Sequence, residues 1–103
     1  MNQIIVTGRI VAQANITIKG DVTFAKTSIA SDRSRGKNSD TDFFDIVAFG
    51  DAAGQLAELV RGEFVRLTGR IRTGAYDAKD GSRRKSATIA VHTVERYQQE
   101  VAA

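Results

Sequence analysis

Two phenylalanines six residues apart, Phe43 and Phe49, stand in the run Asp42-Phe-Phe-Asp-Ile-Val-Ala-Phe49. In an extended strand that even spacing puts both rings on one face with Asp45 and Val47, and sends Phe44, Ile46 and Ala48 to the other. One face must fill a core. If it is the Phe44 face, Phe43 and Phe49 are left outside, where flat rings can serve as platforms for unstacked bases. The alternative for the same two rings is packing under a loop or against another subunit. Tyr76, beside a basic segment, is a third ring of this kind, with an ordinary strand tyrosine as its alternative.

Cations accompany the rings. Arg33, Arg35 and Lys37 lie in the segment Ser31 to Asp40, Arg70 and Arg72 in a later alternating run, and Arg83, Arg84 and Lys85 beyond it. Brought onto one side of a barrel, basic loops flanking aromatics suit a phosphate backbone whose bases stack inward. Plain solvation of charged loops is the competing reading.

Other chemistries lack their parts. The chain has no Cys and a single His, His92, which removes thiolate nucleophiles and zinc-thiolate sites and leaves His92 a surface or packing role. Asp40, Asp42 and Asp45 form an acidic cluster, but strand alternation points Asp42 and Asp45 to opposite faces, which argues against a hard-cation site. There is no glycine-rich phosphate loop and no nucleophile elbow. The expectation is a protein without enzymatic activity, cofactor or metal.

The elements that must position these residues can be read from periodicity. With 103 residues, 42% hydrophobic and 26% charged, the chain has the length and apolar stock of one globular domain. Lys and Arg number 15 against 12 Asp and Glu, a formal charge of +3 that suits a polyanion only if it is concentrated. No apolar run approaches the ~20 residues that span a bilayer, and the chain opens without a leader pattern, so a cytoplasmic protein is expected. Gln3–Ala12 and Val22–Ala30 alternate as strands, with the short run Asn15–Ile18 and the turn Lys19-Gly-Asp21 forming a hairpin between them. Ser31–Asp40, without an aliphatic or aromatic residue, predicts a solvated mobile loop, and Asp42–Phe49 a largely buried strand. Asp51 is the expected N-cap of a short helix reaching Arg61, stopped by Gly62. Phe64–Ile71 alternates again, Asp80-Gly81 marks a hairpin tip, and Lys85–Val94 returns. Gly8 and Gly69, inside strand patterns, predict bulges or sharp bends. Three strands, a helix and two strands predict an all-β, five-stranded Greek-key barrel of the OB type, with one short helix between strands three and four.

The strings Thr41-Asp-Phe-Phe-Asp-Ile-Val-Ala-Phe-Gly50 and Gly62-Glu-Phe-Val-Arg-Leu-Thr-Gly-Arg-Ile-Arg-Thr-Gly-Ala-Tyr76 resemble the bacterial single-stranded DNA-binding protein family. Asn2-Gln-Ile-Ile-Val-Thr-Gly-Arg9 and Phe24-Ala-Lys-Thr-Ser-Ile-Ala30 fit it too, so the resemblance covers nearly the whole chain. It implies an OB fold, a homo-oligomer that is usually a tetramer, and sequence-tolerant binding of single-stranded DNA in replication, recombination and repair. By the same resemblance Phe43, Phe49 and Tyr76 match base-stacking aromatics and Arg72 a backbone-contacting cation. The chain departs from the family at Arg35, near the place of a further aromatic in some members, and at Gln3, Asp51, Gly74 and Ala75, where basic residues are frequent. It ends at Gln98-Gln-Glu-Val-Ala-Ala103 without the acidic-tipped tail that recruits replication and repair proteins, which leaves that recruitment open. The alternatives are a primosomal accessory OB protein acting as a dimer, and an OB interaction domain without nucleic-acid activity.

Overall fold

The period-two segments become strands in the computed structural model, which describes the backbone of residues 1–35 and 38–96 and the side chains of 1–32 and 40–96. The order is β1 (Ile4–Ile10), β2 (Asn15–Lys19), β3 (Val22–Arg35), β4 (Asn38–Phe49), α1 (Asp51–Ala57), β5 (Phe64–Asp77) and β6 (Arg83–Arg96). β1 pairs with β5 along Ile4–Arg9 and with β3 at Arg9 and Ile10, while β4 joins β6 in parallel through Ile46–Ile89, Val47–Ala90 and Ala48–Val91. With the β3–β4 and β5–β6 hairpins, the pairings close a circuit β1–β5–β6–β4–β3–β1. This is the expected five-stranded OB connectivity, with the helix between β4 and β5, the third and fourth circuit strands in chain order. The run Asn15–Lys19 is a sixth strand, β2, paired to β3 outside the circuit.

Inward residues of every circuit strand fill the core. Ile10, Ile29, Ile46, Val65, Leu67 and Ile89 pack together, joined by Leu56 of α1 and by Leu59 just beyond it. No polar or charged side chain is buried among the described residues. Closing so small a circuit requires strands to approach closely at two glycines. A Cβ on Gly8 would stand 2.3 Å from the Ala30 carbonyl oxygen, and one on Gly69 only 2.0 Å from that of Ala90. At Gly69 the predicted bulge is present, because the register runs from Thr68–Thr93 to Gly69–Val91 and leaves His92 as the extra residue. Gly8 marks a close approach with β1 still in register against β5.

Three sequence expectations are corrected. The segment Ser31–Asp40 is not a loop: β3 and β4 continue through it as a hairpin arm, with Ser31–Asp42, Asp32–Thr41 and Arg33–Asp40 in register. A ladder needs backbone partners rather than apolar side chains, and polar contacts support this one. Thr41 Oγ1 donates to Asp32 Oδ1 at 2.9 Å, and Arg9 on β1 reaches the same oxygen at 3.0 Å. The helix ends at Ala57 rather than Arg61. Beyond it the backbone is drawn to β1, where the Gly62 N–H donates to the Ile10 carbonyl at 2.7 Å and the Ile10 N–H to that of Glu63 at 3.0 Å. Asp51 sits in the first helical turn, and the N-cap is Gly50, whose φ of 60° turns the chain out of β4 straight after Phe49. Among the described residues no helix is long and apolar enough to cross a membrane.

Two predictions arise here. Gly69→Ala should lower stability by about 1–3 kcal/mol because backbone must shift. By contrast, Gly54→Ala on α1, where an added Cβ meets nothing within 4 Å, should raise stability by about 0.5–1 kcal/mol. Urea unfolding midpoints of the two variants will show whether they move in opposite directions. The second concerns Glu63, which accepts two hydrogen bonds from the Arg96 guanidinium and one from the Val60 N–H. The Arg96 hydrogen bond is the main reason its carboxyl is held below the ordinary value of 4.5. A depressed folded-state pKa means the stabilisation is complete above the ordinary value and fades as pH falls through the folded one. Glu63→Gln should therefore be less stable than wild type at neutral pH, with the gap narrowing on acidification below about pH 4.5. Unfolding curves with a constant gap down to pH 2 would contradict it.

Candidate nucleic-acid interface

The β3–β4 register places Phe24 opposite Phe49, Lys26 opposite Val47, Ser28 opposite Asp45 and Ala30 opposite Phe43. Because the alternate residues Ala25, Ile29, Ile46 and Ala48 belong to the core, this whole row faces outward. The face choice expected for Phe43 and Phe49 is the observed one: Phe43 is 67% exposed and Phe49 43%. The Phe24 and Phe49 rings lie 6.3 Å apart between centroids and are tilted by 47°. Such spacing is favourable for an aromatic pair.

From the other hairpin, Ile89 and Val91 point into the core, so β5 presents Arg70, Arg72, Gly74 and Tyr76 on its outer face, opposite Ala90, Thr88, Ser86 and Arg84. The parallel β4–β6 pairing then brings the two hairpins edge to edge. Arg72 carries its guanidinium to 5.5 Å from the Phe49 ring centre, and Lys26 holds its ammonium 5.6 Å from that of Phe24. Both are cation–π distances. An open groove results, lined by Lys19, Phe24, Lys26, Val47, Phe49, Arg72 and Gly74. A second depression shares Phe49 and Arg72 with it and adds Asp51, Arg70 and His92.

The charges divide by location. Arg9, Arg66, Arg84 and Arg96 are paired with Asp32, Glu95, Asp80 and Glu63. Lys19, Lys26, Arg70 and Arg72 at the groove form no ion pair among the described residues. Cations left without carboxylates beside exposed ring faces are what a phosphate chain with unstacked bases needs.

The structure gathers some of the sequence-predicted residues and separates others. Phe49, Arg70 and Arg72 meet at the groove. Phe43 occupies the far end of the same strand face, about 20 Å from Phe49 at the usual rise per residue. Tyr76, 53% exposed, continues the outer face of β5 beyond Gly74 and stands opposite Arg84. That arginine lies 3.6 Å from Asp80, whose carboxyl is held below its ordinary value chiefly by the Ser82 hydroxyl. Arg83 and Lys85 alternate onto the other face of the arm, opposite Asp77 and Ala75, so the run Arg83–Lys85 does not act as one patch. The backbones of Arg33 and Arg35 lie in the β3–β4 arm, and Lys37 lies outside the described residues. Asp45 faces outward, apart from Asp40 and Asp42, as alternation requires. Phe24, Lys26 and Lys19 line the groove, and sequence reasoning did not single them out. The signal for Phe24 and Lys26 is the alternation Val22, Phe24, Lys26, Ser28, an aromatic and a cation on one face of a strand whose other face carries Ala25 and Ile29.

A model of the single-strand binding protein family matches residues 1–97. The chain belongs to that family. Among its relatives, the single-stranded DNA-binding protein 3 of Clostridium acetobutylicum is 32% identical over 100 residues, covering 92% of this chain and 69% of the relative. The single-stranded DNA-binding protein of Clostridium perfringens is 28% identical over 96 residues, and this chain spans only 63% of its length. A solved Plasmodium falciparum SSB in complex with ssDNA superposes with a TM-score of 0.82 over 95% of this chain and 96% of its own, at 19% identity. That likeness carries the OB fold. Membership in the family accords with the resemblance read from the Thr41–Gly50 and Gly62–Tyr76 strings.

An exposed platform and a core residue differ in what truncation costs. Phe49→Ala should lower stability by about 1 kcal/mol, because much of the ring is already in water. Leu67→Ala, 1% exposed, should cost about 2–5 kcal/mol. Thermal unfolding of both variants compares them directly.

Proposed function

We propose that the protein binds single-stranded DNA without catalysis and with little dependence on sequence. Bases stack on Phe49 and Phe24, with Phe43 and Tyr76 as outlying platforms, and the phosphates run past Lys19, Lys26, Arg70 and Arg72. The observation that carries this reading is the Phe49–Arg72 contact, a ring and a carboxylate-free cation supplied by different hairpins at one groove. The names of the related clostridial proteins support the choice of ligand. Each base–aromatic stack is worth ~1–3 kcal/mol, and because every base has a π-face it discriminates poorly.

Assembly into a homo-oligomer, with a tetramer as the leading form, belongs to the same proposal. β1 meets β3 only at Arg9 and Ile10, so among the described residues its edge before Gly8 has no ladder partner on that side, and Ile5 there is 61% exposed. An open edge with an apolar residue favours pairing with a second copy. Sedimentation equilibrium distinguishes the tetramer from the dimer expected of a primosomal accessory protein. Roles in replication, recombination and repair follow from the same ligand.

Fluorescence anisotropy of a labelled oligo-dT, titrated at several salt concentrations with a duplex control, tests the reading. Binding should favour the single strand and fall linearly in log–log form with salt. Phe49→Ala should weaken binding about 10-fold or more with the salt slope unchanged, since a stacking platform is lost and no phosphate contact. Arg72→Ala should reduce the slope by about 1. Duplex bound as well as oligo-dT, or Phe49→Ala binding like wild type, would count against it.

A further inference from the structure

Between the two ends of the outward β4 row sits a carboxylate. Asp45 is two residues from Phe43 and four from Phe49, exposed, and directly opposite Ser28 on β3. The Ser28 hydroxyl donates to Asp45 Oδ1 at 3.2 Å, which orients the group. Asp45 makes no ion pair among the described residues, so the other oxygen is an open acceptor. It lines a shallow depression with Lys26, Ser28, Ile46 and Thr88, contiguous with the groove through Lys26 and Thr88.

We propose that Asp45 gives this face a preference for bases that carry an exocyclic amino group, seen most simply as cytosine over thymine. The inference rests on the reading of the face as a single-strand binding surface. A carboxylate repels phosphate, so the backbone of a strand crossing this row is held on the side of Lys19, Lys26 and Arg72, and a base edge is what comes to Asp45. Cytosine offers its N4 amino group as a donor, a pairing that aspartate accepts. Thymine places a carbonyl at the equivalent position, and its only ring donor lies between two carbonyls, so its edge meets the carboxylate with acceptor against acceptor. Stacking on Phe43 or Phe49 is blind to this difference. Asp45 adds a sequence-dependent contribution to a surface that otherwise has little, and does so by disfavouring one base as well as favouring another.

The test uses oligo-dC and oligo-dT of equal length at one salt concentration and pH 8, both pyrimidines so that self-stacking of the free strand is weak in each. Asp45 is exposed and outside the core, so Asp45→Ala and Asp45→Asn should remain folded. Removing the carboxylate should raise affinity for oligo-dT, whose carbonyls it opposes, and should not raise that for oligo-dC, which loses an acceptor. The decisive quantity is the ratio of the dC to the dT affinity, which should fall about 3–10-fold in Asp45→Ala, the range of a single hydrogen bond at an exposed site. Lys26→Ala, which removes a phosphate partner, should weaken both alike and leave the ratio unchanged. Equal gains for dC and dT in Asp45→Ala would overturn the inference while leaving the single-strand reading intact, since the carboxylate would then act on phosphates alone. Failure of the wild-type protein to bind either oligonucleotide would overturn that reading and this inference with it.

Discussion

The three parallel pairs between β4 and β6, Ile46–Ile89, Val47–Ala90 and Ala48–Val91, are the link on which the rest of the molecule depends. Each hairpin alone is a long antiparallel ribbon, and a two-stranded ribbon is marginally stable in water. The seam gives each a common core, since Ile46, Ala48, Ile89 and Val91 on its inner side pack together. On its outer side the same pairs set Val47 beside Ala90, two buried residues that form a low floor. Phe24 and Phe49 rise from one side of that floor and Arg70 and Arg72 from the other. Fold and site are therefore one construction: what closes the barrel also brings the ring to the guanidinium.

Small residues make the seam possible. Ala90 is approached so closely that only glycine fits at position 69, and Gly74 leaves the groove open between Arg72 and Tyr76. At the other end, Gly50 takes a conformation that L side chains rarely adopt and ends β4 at Phe49. The aromatic platform thus stands at a strand end, where the chain turns away and leaves the ring accessible.

How much of this was legible depends on which physical signal carries each part. Period-two alternation is imposed by burial on one face, so Val65 and Leu67, or Ile46 and Ala48, betray their strands and the inward direction together. The arm formed by Ser31–Arg35 and Asn38–Thr41 has no aliphatic or aromatic residue, and its ladder of backbone hydrogen bonds leaves no trace in side-chain polarity. The end of α1 is hidden from the sequence for a related reason: Leu59 and Val60 continue a helical spacing, while Gly62 and Glu63 are pulled to Ile10 by bonds between segments more than 50 positions apart. Phe49 and Arg72 could each be named from the sequence, yet their contact depends on the parallel register, which no local pattern encodes. Phe24 escaped for the opposite reason, since its alternation was visible but its cross-strand partner was not.

The formal charge of +3 is too small to make the whole surface attractive to a polyanion, so placement decides. Four arginines are paired with carboxylates away from the groove, which leaves their local fields nearly neutral, while Lys19, Lys26, Arg70 and Arg72 keep theirs. An arginine held over a phenylalanine is well suited to this use. Its guanidinium is weakly hydrated and already ordered by the ring, so little rotamer entropy is lost when a phosphate arrives. Lys26 over Phe24 repeats the arrangement with a point charge that can swing toward the backbone. Ring and cation preorganise each other in the groove, and the cost of ordering them falls largely on folding instead of binding.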